Sequence, residues 1–250
     1  MLDISSLSVS FGGLRALDDV GFCVKDGEIF TIIGPNGAGK TTIFNLISRI
    51  YDPQSGQIRF NGKEITRIAP HRIAEMGIAR TFQNIELFET ASVLNNLLLA
   101  RHAHRRTHFI EEIFFTPKAR RQEIEMRKAV ELIIDFLDLA HYRDTRIAEL
   151  PYGVRKVVEL GRALAAEPRM LLLDEPSSGL NVEETQDMAF WIKDIRSELG
   201  ITVLIIEHDM KLVTAVSDKV LALNDGRVIA EGEPTEIQEH PEVLHSYLGR

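Results

Sequence analysis

The chain has 250 residues, 44% of them hydrophobic and 26% charged, with a net charge of −8. That is enough apolar material for a packed core with room for a subdomain. The acidic balance argues against broad nucleic-acid binding, which needs a basic footprint. The single cysteine, Cys23, excludes an intramolecular disulfide and suits a reducing compartment. No apolar run approaches the roughly 20 residues that span a bilayer. The start, Met1-Leu2-Asp3-Ile4, lacks the charged and apolar regions of a signal peptide. The expectation is a cytosolic protein that can dock on a membrane partner.

Ile4, Leu7 and residues 9–11 begin short apolar–polar segments that read as antiparallel strands. Phe11 stands before Gly12-Gly13. A lone phenylalanine most often joins a core; the alternative is an aromatic that stacks on an adenine ring, and the loop downstream favours it. Residues 28–33, Glu-Ile-Phe-Thr-Ile-Ile, read as a buried strand. Gly34-Pro35-Asn36-Gly37-Ala38-Gly39-Lys40-Thr41-Thr42 follows and matches the phosphate-binding loop pattern, Gly, four residues, Gly-Lys-Thr. Glycines let such a loop close round a polyphosphate without Cβ clashes, and its amides point at the anionic oxygens. Lys40 is expected to reach the β- and γ-phosphates, and the Thr41 hydroxyl to ligate Mg²⁺. Ile43, Leu46 and Ile47 share one face of the helix that should follow. Its N-terminus adds partial positive charge for the phosphates.

Asp52 to Gly56 is a turn signal, residues 57–60 a strand, and residues 69–76 a short helix closed by Gly77. Residues 78–83 read as a strand ending in Gln83. Between residues 84 and 150 the pattern turns helical. Val93, Leu94, Leu97 and Leu98 mark one helix, and Met126, Val130, Ile133 and Leu137 a longer one after Pro117. Within this segment lies a basic stretch, Arg101 to Arg106, with His108 beyond. A metal site on His104 and His108, a patch for anionic lipid and a solvated loop compete for it, the last being the commonest fate of such a run.

Leu150-Pro151-Tyr152-Gly153-Val154 precedes a helix expected over residues 157–166. Residues 170–173 are apolar and end in Asp174-Glu175, as in a buried parallel strand that delivers carboxylates to its C-terminal edge, where ligands sit in open α/β sheets. Asp174 would hold Mg²⁺ and Glu175 would polarise an attacking water. Residues 202–206 form another buried strand, which puts His208 at the same edge. Residues 220–230 read as a hairpin, 234–248 as short helices, and Trp191 as a core residue of an amphipathic helix.

With these motifs in order, the sequence resembles the ATP-binding subunits of ABC transporters over essentially its whole length. The likeness rests on Phe11 as the adenine-stacking aromatic, the loop Gly34 to Thr42, Gln83 as the Q-loop glutamine, Leu150 to Val154 as the signature, Asp174 and Glu175, and His208 as the switch histidine. It implies an α/β fold: a RecA-like P-loop core built from residues 1–83 and 151–250, an antiparallel β subdomain, and an inserted helical subdomain at 84–150. A finer resemblance is to the ATPases of branched-chain amino acid importers. It is carried by residues 11–17, Leu150-Pro151-Tyr152-Gly153, Ser178-Gly179-Leu180-Asn181 and Ser246-Tyr247-Leu248-Gly249.

The resemblance implies ATP and Mg²⁺ as ligands. Phe11, the loop and, from a paired subunit, Leu150, Pro151, Tyr152 and Gly153 would bind nucleotide. Thr41, Gln83 and Asp174 would hold the metal, and Glu175, His208, Gln83 and Lys40 would support hydrolysis. It also implies membrane permeases, a second ATPase subunit and, indirectly, a periplasmic solute-binding protein, with the chain on the inner face of the plasma membrane. An ATPase for another cargo, such as a lipopolysaccharide exporter, and a soluble ABC ATPase remain the alternatives. The chain departs from the family pattern in two places. In the signature, Pro151 stands for a serine, Tyr152 for a glycine and Val154 for a glutamine, and proline offers neither hydroxyl nor amide hydrogen. Asn181 stands for an aspartate.

Overall fold

A computed structural model describes residues 1–82, 85–104 and 116–248. By its contacts the chain divides into two compact units, Met1–Gln83 with Arg169–Arg250, and Asn84–Pro168. The second unit therefore extends past residue 150, where the sequence pattern placed its end, and takes in the helix that follows Pro151.

The first unit holds two sheets. One is antiparallel, in the order β2-β1-β4-β5, built from Leu2–Phe11 (β1), Leu14–Val24 (β2), Ser55–Phe60 (β4) and Lys63–Glu64 (β5). The other, in the order β10-β9-β3-β8-β7-β6, contains Ile29–Ile33 (β3), Ile78–Arg80 (β6), Met170–Asp174 (β7), Thr202–Ile206 (β8), Lys219–Asn224 (β9) and Arg227–Gly232 (β10). Every residue of β3, β7 and β8 is buried. These strands are parallel to one another, and covered parallel strands need apolar residues on both faces, which explains the unbroken apolar runs. Only β10 runs antiparallel in this sheet, joined to β9 by the turn at Asp225-Gly226.

The first unit's helices are Lys40–Ile47 (α1), His71–Glu75 (α2), Val182–Ser197 (α6), Met210–Val216 (α7), Pro234–Glu239 (α8) and Pro241–Leu248 (α9). Ile43, Phe44, Leu46 and Ile47 of α1 join a core with Phe30, Ile32, Leu172 and Leu204 from the large sheet and Leu7 and Phe60 from the small one. A smaller cluster unites Ile33, Val213, Val220, Ala222, Ile237 and Val243, so the last two helices sit on the end of β3. Trp191 in α6 is half-buried rather than a core residue; Met188, Ile192 and Ile195 form the inner face of that helix.

The second unit is helical: Val93–Ala100 (α3), Pro117–Phe136 (α4) and Tyr152–Leu164 (α5). Ser92 and Thr116 cap the first two by accepting from the amides of Asn95 and Ala119, and Pro117 occupies the first turn, where its missing N–H costs nothing. The helix after the signature starts at Tyr152, five residues before its expected start, with Pro151 at the N-cap. Proline breaks a helix interior but is tolerated at its start, so Pro151 sets the helix start instead of delaying it. His104 ends a short 3₁₀ turn, Arg101–His104, while His108 lies outside the described residues. Among the described residues no cluster of side chains is arranged to hold a metal ion, and no helix is long and apolar enough to cross a membrane.

Candidate functional site

The site begins where β3 ends. Gly34 has φ +152 and Gly39 φ +101, conformations that side chains rarely adopt. Packing adds a second reason. A Cβ on Gly34 would lie 2.1 Å from the Leu223 carbonyl oxygen, and one on Gly39 would lie 2.7 Å from that of Ala16. The loop is thus wedged between the β9–β10 hairpin and β2. The Gly226 amide donates to the Ala38 carbonyl at 3.1 Å, and the Asp18 amide donates to the Gly226 carbonyl at 2.8 Å. The hairpin turn therefore bonds to both its neighbours and holds the loop from below.

Lys40 opens α1 and is buried. Its Nζ donates to the carbonyl oxygens of Gly34 at 2.6 Å and Pro35 at 3.0 Å. Burial lowers its pKa from the ordinary lysine value, against the opposing pull of Glu175, Asp174 and Glu207. Thr41 and Thr42 follow on the first turn. Together with Asn36, Gly37, Gly39, Leu14, Arg15, Ala16, Glu175 and Asp225 they line a cleft of about 560 Å³. That volume is within the range of small-ligand and cofactor sites. Phe11 is not among the lining residues. It is partly exposed and packs tilted against Tyr51, with ring centroids 5.0 Å apart.

Asp174 ends β7, 2% exposed, and its Oδ2 accepts from Arg80 at 2.8 Å. Glu175 comes next with φ +48. A non-glycine residue in that region is strained, and strain of this kind gathers at functional sites. Its amide donates to the Ile206 carbonyl at 2.9 Å, which ties it to the end of β8. Beyond β8, His208 is 55% exposed, with Nδ1 3.7 Å from Glu175 Oε2. That is too long for a hydrogen bond.

Several residues around the site were given no site role by the sequence. Glu207 is fully buried and joins the His208 segment to Ser177. Arg80 joins Asp174 to α1. Leu14, Arg15 and Ala16 line the cleft from β2. Their partners lie far away in sequence, so only the fold brings them in; the carboxylate placed just before the candidate histidine was the one local hint. Gln83 lies outside the described residues. In the second unit, Leu150 is buried, Tyr152 is exposed, and Tyr152, Gly153 and Val154 form the first turn of α5. Asn181 caps α6: its Oδ1 accepts from the Glu184 amide at 3.0 Å, and Glu184 Oε2 accepts from the Asn181 amide at 2.9 Å. Asparagine serves that capping box as well as aspartate would.

Residues 17–178 match the family model described as ABC transporter, a span that includes the loop and the acid pair. The chain belongs to the ABC transporter family. Residues 227–250 match a second model, described as branched-chain amino acid ATP-binding cassette transporter. Among curated members of the family, the chain is 41% identical to the high-affinity branched-chain amino acid transport ATP-binding protein BraF of Pseudomonas aeruginosa, covering 100% of this chain and 98% of BraF. It is 36% identical to the corresponding protein LivG of Escherichia coli, with the same coverage. Of solved ABC cassettes, a nucleotide-free ATP-binding cassette superposes with a TM-score of 0.87 at 32% identity, covering 100% of this chain and 99% of that one. An ATP-binding cassette in its ADP conformation gives 0.87 at 33% identity with the same coverage. The expected α/β P-loop fold with its antiparallel sheet is the fold of this ABC cassette.

Proposed function

We propose that the chain is the ATP-hydrolysing subunit of an ABC importer for branched-chain or related amino acids. One observation carries the hydrolytic part: Lys40, Asp174, Glu175 and His208 converge at the C-terminal edge of a single sheet, beside a cleft of nucleotide size. The names of BraF and LivG, and the matched segment at residues 227–250, carry the cargo.

In this reading the loop amides and Lys40 take the β- and γ-phosphates, Lys40 exchanging its carbonyl partners for phosphate oxygens. Thr41 and Asp174 offer a hydroxyl and a carboxylate, the hard oxygen donors that Mg²⁺ prefers, and with Gln83 they would hold it. Bound there, the ion supplies charge neutralisation between the phosphates. Glu175 orients the attacking water and accepts its proton, and His208 contacts the γ-phosphate as charge builds on it. The cleft, open on one side, is completed by the signature of a second ATPase subunit, whose equivalents of Leu150 to Gly153 stand at the start of a helix. Pro151 caps the start of that helix while lacking both the hydroxyl and the amide hydrogen of the usual serine. Phe11 and the β2 residues flank the nucleotide's base end. Closure of the two subunits on the inner membrane face drives the permeases, to which a periplasmic binding protein delivers solute. No part of this chain contacts the solute.

The test is isolation of the tagged chain from detergent-solubilised membranes of its host, followed by phosphate-release assay and mass spectrometry of what accompanies it. ATP-dependent phosphate release with two permeases and a second ATPase is the expected result. Recovery of soluble partners only, across several detergents, would overturn the transporter reading.

A further inference from the structure

Arg80 is a buried cation at the crossing of three elements. Its side chain is 8% exposed. One terminal nitrogen donates to Asp174 Oδ2 at 2.8 Å, at the end of β7. The other donates to Asn45 Oδ1 at 2.8 Å, on the helix that begins with Lys40 and Thr41. The guanidinium carbon lies 5.4 Å from the centre of the Phe44 ring and 5.1 Å from that of Phe82. Its Nε is buried with no hydrogen-bond partner among the described residues. A fork with one tooth on each element fixes the separation of α1 and β7 in a way a point charge does not.

We propose that Arg80 is a positioning residue that sets the Asp174 carboxylate relative to Thr41, so that Oδ1 is the oxygen offered to the divalent cation that accompanies the triphosphate. Oδ2 is committed to Arg80, and no hydrogen bond among the described residues engages Oδ1. Arg80 makes no contact with the cleft and lines no part of it. Its action passes through Asp174, as the partners of metal-binding carboxylates generally act. The aromatic faces of Phe44 and Phe82 hold the guanidinium plane. The inference rests on the nucleotide-site reading above.

The experiment is titration of a fluorescent ATP analogue into the purified chain, once with Mg²⁺ and once with EDTA, for the wild type, Arg80→Lys and Asn45→Ala. Arg80→Lys keeps the charge and loses the fork; Asn45→Ala removes one tooth and leaves the ion pair. For the wild type, Mg²⁺ tightens binding. For Arg80→Lys the EDTA affinity stays within about threefold while the Mg²⁺ enhancement falls by about tenfold or more, the usual size of such a loss. Asn45→Ala falls between the two. A merely structural role would lower the melting temperature and leave the Mg²⁺ enhancement intact, and that result in both variants overturns the proposal. If Arg80→Lys does not fold, Asn45→Ala alone decides, wild-type Mg²⁺ enhancement counting against. A wild type whose nucleotide binding ignores Mg²⁺ would sink the site reading itself, an outcome distinct from wild-type-like variants.

Discussion

The buried carboxylate of Glu207 is clamped to Ser177, its Oε1 accepting from the Ser177 amide at 2.9 Å and from the Ser177 hydroxyl at 2.5 Å. Its other oxygen accepts from the amides of His208 at 2.7 Å and Asp209 at 3.1 Å. One side chain thus fastens the turn after the Asp174-Glu175 pair to the segment that carries His208. Glu207→Gln keeps the shape but turns an amide NH₂ toward donors, leaving two buried groups facing each other without an acceptor. Losing bonds to a buried charge and stranding their donors costs on the order of 2–4 kcal/mol. Chemical denaturation should show that loss. Because the segment holding His208 is loosened and the loop is not, ATP turnover should fall more than ATP affinity.

Much of this site was legible in the sequence because its chemistry is local. Gly34 to Thr42 is one contiguous loop, and Asp174-Glu175 is a pair at the end of an apolar run, so pattern alone places them. The stapling was not legible. Arg80 meets Asp174 across 94 positions, and Glu207 meets Ser177 across 30. Such pairs follow from the strand order, in which β7 lies between β6 and β8. The start of α5 at Tyr152, five residues before its expected start, depends on Pro151 taking the N-cap. The division at Pro168 rather than residue 150 has the same origin: Gly161 of α5 admits Leu97, Ile133 and Leu137 to close approach, which binds that helix to the helical unit.

Glu175→Gln should separate binding from turnover. The amide keeps the size of the side chain but cannot take a proton, so steady-state phosphate release should fall by about a hundredfold or more, within the range that general bases contribute. ATP affinity should stay within a few-fold in a direct titration. Normal turnover would remove Glu175 from the reaction and leave the water to another group. His208→Ala tests the 3.7 Å neighbour: a drop in kcat with little change in KM fits a group that acts on charge developing at the γ-phosphate.

Lys40 gives a pH dependence whose sign is fixed. Burial lowers its folded-state pKa below the ordinary value of 10.5. Below the folded value both folded and unfolded chains carry the proton, and the folded state bears the cost of the buried charge. As pH rises through the folded value, the native chain sheds this proton while the unfolded chain keeps it up to about 10.5, so this contribution makes stability rise with pH across that window. Lys40→Met removes the effect. Without nucleotide, the stability of wild type relative to Lys40→Met should therefore climb as pH is raised from 7 toward 10.5, read by urea denaturation. A flat difference would mean that the carbonyls of Gly34 and Pro35, with the nearby carboxylates, fully compensate the burial. At neutral pH the same variant should bind ATP at least about tenfold more weakly, since a charged partner of the phosphates is gone.

The last two helices test whether the C-terminal segment belongs to the loop's support. Ile237 is 2% exposed, Val243 is 4% exposed, and both pack with Ile33, the residue immediately before Gly34. Tyr247, farther along α9, has its phenol pushed up by burial, an effect partly offset by a hydrogen bond with the Gly34 backbone. Ile237→Ala should cost about 2–5 kcal/mol, the range for emptying a buried isoleucine site. Because the void opens against the end of β3, the loop's first glycine loses part of its backing, and ATP affinity should weaken along with stability. Tyr247→Phe separates the two effects: it leaves the apolar cluster intact and removes only the contact to Gly34. Weaker ATP binding in Tyr247→Phe at unchanged stability would show that the tail acts on the loop through that contact, while wild-type affinity would confine the tail to packing.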